Sequence, residues 1–253
     1  MAATIYYDNV SSYSATLNDG GGNGTFSDSD TLTNEERAID EDITQVIGGW
    51  ANSEGLQFDF GSAKTVDFCA IYSTVATSND ITVYRDDAAS GDFGNSNVLS
   101  DVAVGWNIRT LSSGGAGGSY RWRSVWATTG ALTGIAEIFF GNKLELPIEP
   151  TANVTTAHKF GTEEIKAHGA NRYYISKHDN YKILSLSFDH MTAANKTSIL
   201  AFSNTVTNRK PFIYSEDSTT GPFHWVRLVR PLTFRMVTPD IFSCQMVMRE
   251  LTS

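Results

Sequence analysis

The sequence predicts a mainly β protein in two parts: a β-sandwich of the jelly-roll type over residues 1–145, and a small β-domain with one packed helix over residues 146–253. Short stretches of alternating apolar and polar residues recur along the chain, as in half-buried strands. All 6 prolines and all 5 histidines follow residue 145, whereas 18 of the 21 glycines precede it. Residues 1–142 carry 6 basic and 18 acidic side chains, and residues 143–253 carry 13 and 10. Two segments of such different chemistry indicate two domains.

The first part reads as short strands separated by turn-rich loops. The strand candidates are residues 56–60, 66–72, 81–85, 120–126 and 136–140. The loop at residues 112–119 contains four glycines, a composition typical of turns. Because no stretch of this part has a helical period, a sandwich or jelly roll is the expected architecture.

The second part follows a linker at residues 146–150 that contains two prolines, Pro147 and Pro150. Its strand candidates are residues 172–175, 181–189, 211–214, 223–230, 232–237 and 241–251. Residues 192–204 form its one good helix candidate, with Thr192 as the N-cap and an apolar stripe through Ile199, Phe202 and Val206. We therefore expect a helix that packs on a β-sheet.

Three sequence segments of the first part resemble segments of discoidin-type, galactose-binding-like domains. Residues 56–66 (LQFDFGSAKTV) resemble an early strand of those domains, residues 120–123 (YRWR) a late strand, and residues 135–141 (IAEIFFG) the closing strand. Their order and spacing match the family over about residues 45–142. The resemblance implies a domain that binds sugars or other surface ligands through loops at one end, in some members with a calcium ion.

Ligand-binding candidates in such a domain are Trp50, Trp106 and Trp126, because an indole face stacks on a pyranose ring. The alternative is that these tryptophans fill the core between two sheets.

A calcium site is a second hypothesis for the acidic stretch that starts at Asp28 and Asp30. Calcium prefers several hard oxygen ligands, which aspartates supply. The spacing does not match an EF-hand, and a solvated loop followed by a short helix is the alternative. No cofactor is therefore expected, with calcium at Asp28 and Asp30 left open.

The second part resembles the small β-domain of long-tailed bacteriophage tail proteins, including distal-tail ring proteins. The resemblance lies in residues 172–174 (RYY), in residues 183–189 running into 191–194, and in residues 210–214 (KPFIY). It implies an oligomeric ring or collar, with copies of the chain and other tail proteins as partners. It also implies a place in the virion after assembly in the host cytoplasm.

Arg227, Arg230 and Arg235 are candidates for the interface between subunits, since they fall on neighbouring predicted strands. A nucleic-acid partner is not expected, because the excess positive charge is modest and no helix-turn-helix or stacking platform accompanies it. Membrane insertion is not expected either, since no run of 18 apolar residues occurs.

The sequence contains neither a Gly-x-Ser-x-Gly motif nor a His-Glu-x-x-His motif, so we expect that the protein is not an enzyme. The resemblances favour a virion structural protein: a tail ring or collar carrying a projecting carbohydrate-binding-like domain for host attachment. The alternative is a carbohydrate-binding module of a surface adhesin.

Overall fold

The structure is a computed structural model that describes residues 3–10, 16–19, 32–52, 55–86, 95–99, 102–111, 119–127, 130–146, 155–159, 162–166, 172–176, 180–217 and 221–251. The chain divides into two compact units. We call Asp8–Lys143 the sandwich unit, and Met1–Tyr7 together with Leu144–Thr252 the helix-backed unit. Cys69 and Cys244 are buried free thiols, one in each unit.

The sandwich unit is built from two antiparallel sheets. Its strands are β2 (Thr16–Asp19), β3 (Gly55–Thr65), β4 (Phe68–Ser73), β5 (Ile81–Asp86), β6 (Asn95–Leu99), β7 (Gly105–Thr110), β8 (Ser119–Ala127) and β9 (Ile135–Glu145). One sheet has the order β9–β4–β7, and the other has the order β2–β3–β8–β5–β6. A short 3-10 helix, Glu35–Ala38, precedes β3.

The two sheets of this unit bury a common core because apolar residues alternate along their strands. Phe58 on β3 and Phe140 on β9 are fully buried, and their rings pack edge to face with centroids 5.1 Å apart. Cys69 and Ile71 of β4 belong to the same core. Side chains from both sheets therefore interdigitate, as in other β-sandwiches.

The helix-backed unit contains one large antiparallel sheet and a separate hairpin. Its strands are β1 (Thr4–Tyr7), β10 (Thr155–Lys159), β11 (Thr162–Lys166), β12 (Arg172–Ser176), β13 (Tyr181–Met191), β14 (Phe212–Ser215), β15 (Phe223–Leu228), β16 (Phe234–Thr238) and β17 (Ile241–Glu250). The sheet has the order β10–β13–β17–β15–β14–β1, and β16 pairs with β17. Strands β11 and β12 form the hairpin.

The helix α1 (Ala193–Val206) covers one face of this sheet. Thr192 caps its N-terminus, since the Thr192 hydroxyl accepts a hydrogen bond from the Asn195 N–H at 3.3 Å. The predicted stripe of Ile199, Phe202 and Val206 is completely buried against the sheet. The Phe202 ring packs edge to face on Phe212, with centroids 5.0 Å apart.

The mainly β fold with one packed helix is confirmed. The division of the chain differs from the predicted boundary at its N-terminus, because β1 is part of the helix-backed unit. Strand β1 pairs antiparallel with β14, with Ile5 opposite Tyr214. Ile5 is completely buried in the core under α1. The sandwich unit is thus inserted in sequence between the first strand of the other unit and the rest of it.

Candidate ligand-binding end of the sandwich

Several loops of the sandwich unit meet at one end of its two sheets. The last residue of β4, Ser73, pairs with Gly105 at the start of β7 and with Ile135 at the start of β9. In the other sheet, Ile81 at the start of β5 pairs with Leu99 at the end of β6. The loops that connect these strand ends contain residues 74–80, 102–104 and 130–134. We call this part of the molecule the loop end.

Hydrogen bonds join these loops to one another. The Thr77 N–H donates to the Val102 carbonyl at 2.8 Å, and the Thr74 N–H donates to the Gly134 carbonyl at 2.8 Å. The Asn79 side-chain amide donates to the Ala131 carbonyl at 2.6 Å. Three loops are therefore held in one arrangement before any ligand arrives, which lowers the entropic cost of binding.

Two glycines allow the loops to approach this closely. Gly134 has a φ of +77°, and a Cβ there would lie 2.6 Å from the Thr74 hydroxyl oxygen and 2.7 Å from a Val75 methyl. A Cβ on Gly130 would lie 2.7 Å from the Asn79 amide nitrogen. Neither contact distance occurs in a relaxed structure, so the loop arrangement depends on both glycines.

Exposed apolar side chains lie on these ordered loops. Val104 is 64% exposed and Val75 is 40% exposed. The loop bearing Val104 is fixed by Asn107, whose amide accepts a hydrogen bond from the Ala103 N–H and donates one to the Ala103 carbonyl, both at 2.8 Å. The loop end therefore presents two aliphatic side chains to water from ordered loops.

An aromatic pair flanks the loop end on the outer face of the three-stranded sheet. Tyr72 of β4 lies directly opposite Trp106 of β7, and their rings pack edge to face with centroids 5.3 Å apart. Trp106 is 7% exposed, whereas Tyr72 is half-buried. The Tyr72 ring therefore provides most of the surface of this pair.

A buried carboxyl group, that of Glu137, lies opposite Tyr72 on the other neighbouring strand, β9. Glu137 is completely buried. Its two carboxyl oxygens accept hydrogen bonds from the Asn9 side-chain amide at 3.2 Å and from the Glu41 N–H at 2.9 Å. Burial raises the pKa of Glu137 well above its ordinary value, more than these hydrogen bonds lower it, and the nearby Asp40 raises it further.

The predicted tryptophans have different positions in the structure. Trp50 is 3% exposed and lies in the sandwich core, so its indole has no face for a sugar ring. The Trp50 carbonyl oxygen accepts a hydrogen bond from the Leu132 N–H at 2.9 Å, and this bond helps to fix the loop at residues 130–134. Trp106 lies beside the loop end, where its ring packs on Tyr72 and is largely buried. The side chain of Trp126 lies outside the described part of the chain.

Calcium at Asp28 and Asp30 stays a prediction, because both residues lie outside the described ranges. Within those ranges, no group of three or more histidine, cysteine, aspartate or glutamate side chains is arranged to hold a metal ion. The carboxylate of Asp42 accepts hydrogen bonds from Thr44 and Gln45. These bonds hold the pKa of Asp42 below its ordinary value.

The three predicted interface arginines, Arg227, Arg230 and Arg235, are all exposed in the helix-backed unit. Arg227 lies on β15 and Arg235 on β16, and Arg230 donates a hydrogen bond to the Gln245 side-chain oxygen at 2.7 Å. The described ranges contain no helix with both the length and the apolar character needed to cross a membrane.

Sequence reasoning missed Tyr72 and Glu137 as members of a site. Both residues lie in segments that the sequence predicts as strands, residues 66–72 and 136–140. Glu137 interrupts an otherwise apolar run in β9. A charged residue within a buried strand is a usable signal, because such a residue needs compensating hydrogen bonds.

No protein-family model matches the chain, and no curated protein matches it. Among solved structures, the chain is similar to the lectin domain of lectinolysin in complex with Lewis B antigen, at 12% identity and a TM-score of 0.40, over 53% of this chain and 96% of that one. It is similar to the CBM32-4 module of CpGH89 from Clostridium perfringens, at 14% identity and a TM-score of 0.36, over 53% and 99%. A third similar structure is the CBM32 of AlyQ in complex with 4,5-unsaturated mannuronic acid, at 14% identity and a TM-score of 0.35, over 53% and 96%. These neighbours give no support to the expected place in a phage tail ring.

Proposed function

We propose that the protein is a carbohydrate-binding protein without catalytic activity, and that its sandwich unit binds a glycan at the loop end. The observation that carries this proposal is the Tyr72–Trp106 ring pair on strands β4 and β7, at the end of the sheet where hydrogen-bonded loops present the exposed Val75 and Val104. The resemblance of the three sequence segments to discoidin-type domains points in the same direction.

The chemistry of the loop end suits a sugar. A pyranose ring has an apolar face of C–H groups, which packs on an aromatic ring or on aliphatic side chains. Tyr72 of β4 offers the ring, and Val75 on the loop after β4 and Val104 on the loop before β7 offer aliphatic surface. Rigid loops keep the ordering cost of binding small.

Binding of the full chain to an array of glycans, followed by calorimetry with the best glycan, tests the proposal. We expect the substitution Tyr72→Ala to weaken binding about tenfold or more, because it removes the stacking ring. Tyr72→Phe keeps the ring and should bind nearly as well as the wild type. Tyr84→Ala, which removes a half-buried tyrosine from β5 of the other sheet, is the matched control.

Thermal melts of all variants separate loss of the ring from loss of the fold. Two results would overturn the proposal: a folded wild-type chain that binds no glycan on the array, or a Tyr72→Ala variant that binds as tightly as the wild type.

A further inference from the structure

On the face away from α1, the large sheet of the helix-backed unit is buried at Tyr6, Ile213 and Trp225 of β1, β14 and β15. This face is open over β10, β13, β17, β16 and the end of β15. Side chains on the α1 side, such as Leu186, Met246 and Met248, are buried. On the opposite side, the alternate residues of β13 and β17 are half-buried or exposed. We call this open region the open face. Its members are Thr155, Ala157, Lys159, Tyr181, Ile183, Ser185, Ser187, Arg227, Arg235, Ser243, Gln245, Val247 and Arg249.

The open face is basic. Arg227 of β15 lies directly opposite Arg249 of β17. Arg230, which follows β15, donates a hydrogen bond to the side chain of Gln245 of β17. The members of the face include no aspartate or glutamate, and Asp189 of β13 lies at the irregularity that follows Phe188. Like charges directly opposite each other in a sheet repel. An acidic surface placed over this face would remove that repulsion.

Aliphatic side chains are also exposed around the same arginines. Val229, two residues after Arg227, is 48% exposed, and Val237, two residues after Arg235, is 55% exposed. Met236 is 61% exposed but lies on the α1 side of β16, opposite Phe242. Among the strands that the structure describes, β16 pairs only with β17, so its other edge is not part of a ladder. Exposed apolar groups beside arginines are typical of the surface of a protein partner.

A nucleic acid fits this face less well than a protein does. Single-stranded nucleic acids need aromatic side chains on which bases can stack. Tyr181 is the one aromatic member of the open face, and the Arg249 guanidinium already lies over its ring, 3.9 Å from the centroid. On the same side of β15, Trp225 is buried and Phe223 is half-buried.

The chain itself contains an acidic partner surface. Residues 8–143 have 18 acidic and 7 basic side chains, and residues 35–42 alone contain five acids and one arginine. Glu36 and Asp40 of this acidic segment are exposed. We propose that the open face docks on the acidic segment, residues 35–42, of a second copy of the chain. The contact joins two different surfaces, so it is head to tail and adds copies in series.

Sedimentation of the full chain at low and high salt, after nuclease treatment, tests this proposal. We expect assembly that increases with protein concentration at low salt and weakens at high salt, because contacts between exposed charges are screened. The open-face variant combines Arg227→Glu with Arg235→Glu. The acidic-segment variant combines Glu36→Lys with Asp40→Lys, both at exposed positions. Each variant alone should self-associate at least about tenfold more weakly than the wild type.

Mixing the two variants gives the decisive result. In the mixture, the unchanged open face of the acidic-segment variant meets the unchanged acidic segment of the open-face variant, so the two chains should pair although neither variant assembles alone. The control reverses two exposed arginines that are not members of the open face, Arg109→Glu and Arg209→Glu, and should assemble like the wild type.

Three outcomes would overturn the proposal: a wild-type chain that stays monomeric at every concentration, an open-face variant that assembles like the wild type, or a mixture that fails to assemble. Binding of a single-stranded oligonucleotide that needs Arg227 and Arg235, by a monomeric wild type, would assign the face to nucleic acid instead.

Discussion

Glu137 is a carboxyl group that the fold buries completely. A carboxyl group without solvent contact in a β-strand needs donors for its oxygens, and the Asn9 amide and the Glu41 N–H provide them. Desolvation nevertheless raises its pKa well above the ordinary 4.5. The folded state therefore holds this proton more tightly than the unfolded chain does. Its contribution to stability is complete below the unfolded pKa and is lost as the pH rises through the folded pKa.

We predict that Glu137→Gln makes the sandwich unit less sensitive to rising pH. Glutamine has no charge to bury, and the Asn9 amide can turn to accept a hydrogen bond from it. Melting temperatures measured across the pH range should fall for the wild type as the pH rises above the ordinary glutamate pKa of 4.5, and should fall less for the variant. Glu36→Gln, at an exposed site, should follow the wild type. Parallel profiles for wild type and Glu137→Gln would contradict the prediction.

At this scale the sequence predicted positions in the core better than roles in a site. Phe140 and the α1 stripe follow from alternation and helical spacing, and all are buried. Trp50 and Trp106 could not be told apart by sequence, because an indole has the same apolar character in a core as on a binding surface. What separates them is the sheet register: Trp106 lies on the outer face opposite Tyr72, and Trp50 lies between the sheets.

At the scale of elements, the loop end depends on close contact between loops 74–80 and 130–134. Alternating strands such as β17 were evident from the sequence, whereas these loop contacts were not. A turn residue such as glycine shows where the chain bends, but the partner of a loop is set by tertiary packing. Gly134 and Gly61 look alike in sequence, yet a Cβ would meet other atoms only at Gly134.

We predict that Gly134→Ala destabilises the sandwich unit more than Gly61→Ala does. Both glycines have a positive φ, +77° and +68°, so each substitution has a backbone cost of about 1–2 kcal/mol. Only at Gly134 does the new methyl collide with Thr74 and Val75, which adds about 1–3 kcal/mol. Denaturant unfolding of both variants measures the difference. Equal losses would show that the loops can separate at no cost.

For the whole molecule, the charge asymmetry and the two prolines indicated two units with a junction near residue 145. These features could not indicate that residues 3–7 belong to the helix-backed unit. Strand β1 is four residues long, and an isolated apolar strand pairs equally well with either sheet as far as periodicity is concerned. Its place follows from the pairing of Ile5 with Tyr214 on β14.

We predict that removal of residues 1–7 unfolds the helix-backed unit and leaves the sandwich unit folded. The deletion exposes β14, empties the core position of Ile5, and removes the Tyr7 ring that packs on Phe202 with centroids 5.2 Å apart. Loss of one large buried aliphatic side chain costs about 2–5 kcal/mol, a large part of the 5–15 kcal/mol typical of a domain. Calorimetry should then show a single transition, and proteolysis should remove residues after 144 first. A chain shortened only by residues 1–2 is the control. Two unchanged transitions after the longer deletion would mean that β1 is dispensable, and that residues 144–252 fold without it.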